Sequence, residues 1–97
     1  MKRVIKANTE SNYRLTDADK NWLDRQTENM CDQVYENYGD EMEFDIVMEH
    51  MEEVILDPEY LRDHEQSEGL IQLAESRSAD LINYVQSRIE YHIPRYS

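Results

Sequence analysis

What the chain is short of bounds it first. Its 97 residues hold one cysteine, Cys31. A lone thiol excludes an internal disulfide framework and a cysteine-based zinc cluster, and makes a reducing cytoplasmic setting the default expectation. Only Gly39 and Gly69 supply glycine, so no glycine-rich phosphate loop can form. No apolar run approaches the roughly eighteen residues of a membrane span, and Met1-Lys2-Arg3 leads into no apolar stretch of a secretory signal. Positive charge is scarce: ten Lys and Arg face twenty-two Asp and Glu, for a formal charge of −12. A field of that sign repels phosphate and disfavours direct binding to nucleic acid or to an anionic membrane. The length suits one domain.

The charge is unevenly placed. Residues 1–15 hold Lys2, Arg3, Lys6 and Arg14 against Glu10, a net of +3. Residues 16–69 hold eighteen acids against Lys20, Arg25 and Arg62, a net of −15, and residues 70–97 are neutral. Soluble domains tend to intersperse the two signs; this one gathers a single sign in its middle.

That acidic block keeps helical time. Thr16-Asp17-Ala18-Asp19 is a capping-box pattern with Asp for the usual Glu or Gln. Leu23, Thr27, Met30, Val34 and Tyr38 follow at three- and four-residue steps, and Gly39 is suited to end the helix. Asp40, with Glu43 three places on, starts a second helix whose inward stripe is Phe44, Val47, Met48, Met51, Val54 and Ile55. Asp57-Pro58 ends it, and Pro58 opens a short turn through Tyr60 and Leu61. After a break at Ser67-Glu68-Gly69 a third helix is predicted from about Leu70 to His92, with Ile71, Ala74, Ser78, Leu81, Ile82, Val85 and Ile89 inward. The fold class is therefore all-α: a three-helix antiparallel bundle over residues 16–97 behind a short, mobile basic arm, residues 1–15. So small a core also leaves room for a homodimer.

Placed on these helices, the acids form two lines. Glu41, Asp45, Glu49, Glu52 and Glu53 fall opposite Phe44, Val47, Met51 and Val54, while Asp24, Glu28, Asp32 and Glu36 run along the first helix. Like charges at i, i+4 cost about 0.2–0.5 kcal/mol per pair, so the six such pairs among them would cost roughly 1–3 kcal/mol. A charge run is usually only a solvated face. The alternative is a docking surface for a strongly cationic partner. Each i, i+4 step rises about 6 Å, so two adjacent lines offer roughly one charge per 3 Å, within twofold of the ~1.7 Å spacing of duplex phosphates.

On the ladders Asp24-Glu28-Asp32-Glu36 and Glu41-Asp45-Glu49-Glu53 the chain resembles the small acidic helical DNA mimics of phages and mobile elements, such as anti-restriction and some anti-CRISPR inhibitors. The resemblance spans about the central half of the chain and implies a non-enzymatic inhibitor that fills the nucleic-acid groove of a host defence enzyme. The basic arm and the neutral C-terminal third depart from an all-acidic mimic.

Enzyme sites find little footing. Val34 stands at the first ligand position of a calcium loop centred on Gly39. His50, His64 and His92 are too scattered for a zinc-protease helix, and Val47, Leu61 and Ile89 occupy the positions where a di-metal bundle needs Glu. Glu49-His50-Met51-Glu52 is half of a nucleotide-pyrophosphohydrolase pattern with no second half; a metal on Glu49, Glu52 and Glu53 is the enzymatic rival. No catalytic residue, metal or cofactor is expected, and Cys31 reads as a small buried residue. Trp22 and Tyr35 lie off the apolar stripes and are candidate contact aromatics beside the acids. They also carry the other alternative, an adaptor bundle that binds a protein through an apolar Trp, Tyr and Met surface.

Overall fold

The computed structural model describes residues 13–96; the expectation of a mobile arm falls, for residues 1–12, outside them. The described residues form an all-α fold without strands, in five α-helices rather than three: α1 (Asp17–Tyr38), α2 (Phe44–His50), α3 (Pro58–Asp63), α4 (Glu68–Ser76) and α5 (Ala79–His92). A 3-10 turn, Gly39–Glu41, follows α1, a π-helical turn, Met51–Ile55, extends α2, and a second 3-10 turn, Ile93–Tyr96, closes the chain. No helix among the described residues is long and apolar enough to cross a membrane.

The direction of the chain can be followed from its cross-contacts. Tyr60 of α3 and His64 just past its end pack on Trp22 near the start of α1, so α2 and its π turn bring the chain back along α1. From there α5 pairs with α1 in rising order: Tyr84 with Lys20, Arg88 with Asp24, Tyr96 with Asp32. Thus α5 runs parallel to α1. Leu23, Val34, Val47, Met51, Leu61, Leu70, Leu73, Leu81, Val85 and Ile89 fill the shared core.

The start of α1 forms as its sequence predicts. Thr16 Oγ1 accepts from the Asp19 amide at 3.0 Å, and Asp19 Oδ2 accepts from the Thr16 amide at 3.1 Å. Asp19 is nonetheless buried, because the segment before it folds over. Tyr13 donates its hydroxyl to Asp19 Oδ2 at 2.6 Å, and Ser67, the cap of α4, donates to Oδ1 at 3.2 Å. The Tyr13 ring rests on Gly69, where an added Cβ would fall 2.1 Å from a ring carbon. Residues 13–15, assigned by sequence to the loose arm, are therefore tied to the body, and Leu15 packs on the core. Gly69 lies inside the first turn of α4 rather than breaking it; it is the seat of Tyr13.

Three further departures have physical causes. The second helix starts at Phe44, not Asp40: Asp40 and Glu41 enter the 3-10 turn, and Glu43 is extended at the cap position without a side-chain cap bond. Alternate residues of an extended stretch share a side, which lets Met42 join Phe44 against the core. The π turn, closed by the Leu56 amide on the Met51 carbonyl at 2.9 Å, adds one residue to the repeat. Ile55 and Leu56 consequently turn inward, while Val54, expected inward, is 40% exposed. Tyr38, the last member of the first stripe, is also exposed, beyond the end of the packed length.

The predicted third helix is interrupted at Arg77, whose backbone is left-handed at φ 54°. The Ser78 amide reaches back to the Leu73 carbonyl at 2.9 Å and the Arg77 amide to Ala74 at 3.2 Å, the double bond of a Schellman closure. Glu65, at φ 57°, closes α3 in the same way, with Gln66 bonded to Leu61 and Glu65 to Arg62. These two closures let α4 pack on α3 while α5 is redirected along α1 and α2.

Candidate partner-binding surface

Between Arg25 and Arg62 the chain contains neither Lys nor Arg. This stretch includes the last three turns of α1, the 3-10 turn, α2 and the π turn, so along two neighbouring helical rods the carboxylates have no Lys or Arg from the stretch itself. The ion pairs among the described residues lie mostly elsewhere: Arg14 with Asp80 at 4.0 Å, Arg62 with Glu75 at 2.6 Å and Arg88 with Asp24 at 2.5 Å.

The two predicted lines are realised in part. Glu28, Glu36, Asp45, Glu49 and Glu53 are exposed on helical turns, and no ion pair among the described residues engages them. Glu41 is exposed as well, but the extended link at Met42 and Glu43 separates it from Asp45, so the two are not one helical step apart. Glu52 is paired with Arg77 at 3.2 Å. Asp32 is exposed and accepts the Tyr96 hydroxyl.

Asp24 does not belong to a free ladder. Its Oδ1 accepts from Arg88 Nε at 2.5 Å and from His92 Nε2 at 3.0 Å. Arg95 Nη1 stands 3.4 Å from the other nitrogen of His92. A guanidinium can only donate, so Nδ1 accepts and Nε2–H faces the carboxylate. Burial alone would raise the pKa of Asp24, but the hydrogen bonds from Arg88 and His92 outweigh it and hold the carboxyl below its ordinary value. Arg88 also lies over the Tyr91 ring, 4.3 Å from its centroid. This cluster clamps α5 to α1 and takes Asp24 out of the docking set. Sequence reasoning had no means of pairing residues 24, 88 and 92 across 64 positions and more.

The aromatics separate by location. Trp22 is half-buried, with ring centroids 6.5 Å from Tyr60 and 6.3 Å from His64. Tyr35 is 38% exposed and stands 5.3 Å from Tyr96. Cys31 is fully buried, and burial, with the charges of Asp32 and Glu28, pushes its thiol up to about 11; it remains protonated and unreactive at neutral pH. Among the described residues no three His, Cys, Asp or Glu side chains converge to hold a metal ion. Comparison of the chain with protein-family models, with characterised proteins and with solved structures returns no match.

Proposed function

We propose that the chain is a non-enzymatic binding protein that antagonises a nucleic-acid-processing enzyme by lying in its cationic groove. The observation that carries this reading is the set Glu28, Glu36, Glu41, Asp45, Glu49 and Glu53, exposed on adjoining rods and free of ion pairs among the described residues. A merely solubilising face needs no such segregation, because interspersed charges of both signs serve as well. Among the described residues Arg14, Arg62, Arg88 and Arg77 engage Asp80, Glu75, Asp24 and Glu52, and the segment from Glu28 to Glu53 holds no Lys or Arg of its own. Carboxylates carried on helices are pre-positioned, so they meet an array of Arg and Lys without the ordering cost of a disordered acidic tail.

The test is displacement. DNA-binding proteins of the native host are held on a duplex-DNA column and challenged with the pure chain. Release of a nucleic-acid enzyme is expected, and Asp45→Lys, Glu49→Lys and Glu53→Lys together should abolish it while helical circular dichroism is kept. Failure to release any protein, or equal release by the triple variant, removes the basis of this reading.

A further inference from the structure

We propose that the cleft at the C-terminal end of α1 receives an arginine side chain of the partner. This rests on the reading of the acidic face just given and adds a chemical preference to it. The cleft measures about 300 Å³ and is lined by Tyr35, Gly39, Asp40, Met42, Ile93 and Tyr96. It is roomy enough for one long side chain and too small for a helix or strand.

Three features give it cationic selectivity, and a fourth keeps it open. Tyr35 and Tyr96 stand 5.3 Å apart with planes tilted by 48°, a partly exposed aromatic wall. That wall is held in place: Tyr96 donates its hydroxyl to Asp32, and burial together with this bond pushes its pKa upward, so it stays a neutral donor. Asp40 puts a carboxylate on the lining, and Asp40 is exposed. The 22-residue α1 ends here with no basic residue in its last turn, so the negative end of its dipole is left uncompensated by the helix itself. At Gly39 an added Cβ would meet nothing within 4 Å, so the space beside the helix end is open.

An aromatic face, a carboxylate and the negative end of a helix dipole together suit a guanidinium. Its plane stacks on a ring while its edge donors reach oxygen. A lysine ammonium is a compact, strongly hydrated point charge and gains less from the same walls. The cleft thus distinguishes two cations that the surrounding carboxylates, acting through charge alone, would treat alike.

The experiment compares two capped peptides of alternating glycine and arginine or glycine and lysine, equal in length and charge, titrated at low salt. The arginine peptide should bind more tightly by about 2- to 30-fold, the span of one cation–π contact from exposed to desolvated. It should also shift the ring-proton resonances of Tyr35 and Tyr96. Tyr35→Leu should erase the preference and Tyr35→Phe should keep it. Equal affinities, or a preference that survives Tyr35→Leu, overturn the arginine cleft and leave the acidic face standing. Absence of binding by both peptides overturns the cleft and the acidic reading together.

Discussion

Asp24 shows how one residue's role changes once its neighbours are known. By spacing alone it is the first rung of an acidic line; in the fold it is the acceptor that joins Arg88 and His92 to α1. Its pKa is lowered, and the sign of the consequence follows. A carboxyl with a folded value below its unfolded one contributes stability that is present above the unfolded value, about 4, and is lost as pH falls through the folded one. Asp24→Asn should therefore cost about 1–2 kcal/mol at pH 7, since hydrogen bonds to charged groups are worth about 1.5–3 kcal/mol and this one is partly solvated. Below about pH 4 the difference between variant and parent should shrink. Urea melts at pH 7 and pH 3 measure both; a gap that stays constant would show that the cost does not come from the ionised form of Asp24.

At the scale of elements, helix ends are the part least legible in the sequence. The start of α1 at Thr16 and the short helix after Asp57-Pro58 were readable, because side-chain caps and proline are local signals: Asp57 accepts from the Glu59 amide at 3.1 Å. The break at Arg77 was not, and the one at Glu65 was read too late, at Ser67-Glu68-Gly69, because both left-handed positions are filled by residues other than glycine. Periodicity gives no warning at the second break either, since Ala74 and Leu81 lie seven residues apart and keep one stripe in phase across it. The π turn escaped for the complementary reason: a one-residue insertion changes which of Val54 and Leu56 is inward without changing composition. The acids were legible as helical lines, and it was the long-range pairing of Asp24 with Arg88 and of Glu52 with Arg77 that remained hidden. A left-handed residue that is not glycine costs about 1–2 kcal/mol, against which glycine's greater unfolded-state freedom returns about 0.4–1 kcal/mol. Glu65→Gly should accordingly stabilise the chain by about 0.5–1 kcal/mol, a rise of a few degrees in Tm. Arg77→Gly should gain less, because it also removes the ion pair to Glu52. Thermal melts of the two variants order them, and a lowered Tm for Glu65→Gly would mean that the Schellman closure there is unstrained.

For the whole molecule the charge on which the proposed groove binding rests works against folding. Residues 13–96 carry twenty-one Asp and Glu against seven Lys and Arg. The helices reduce the burden locally: with Asp24 paired and Glu41 off the helix, four like-charge i, i+4 pairs remain of the six expected, worth roughly 1–2 kcal/mol of repulsion. The rest is diffuse repulsion over tens of ångströms, which salt screens, the Debye length falling from about 30 Å at 0.01 M to about 8 Å at 0.15 M. Salt also weakens the attractive pairs, but most of these are exposed and worth about 0–1 kcal/mol each, so the relief of repulsion should prevail. Two opposite responses to one variable are thus expected: between about 0.01 and 0.5 M NaCl, Tm rises while affinity for the cationic partner falls steeply. Calorimetry and binding titrations across the same salt series measure them together. A chain whose stability and binding both ignored salt would be held and recognised through its apolar contacts, and its carboxylates would be no more than a solvated coat.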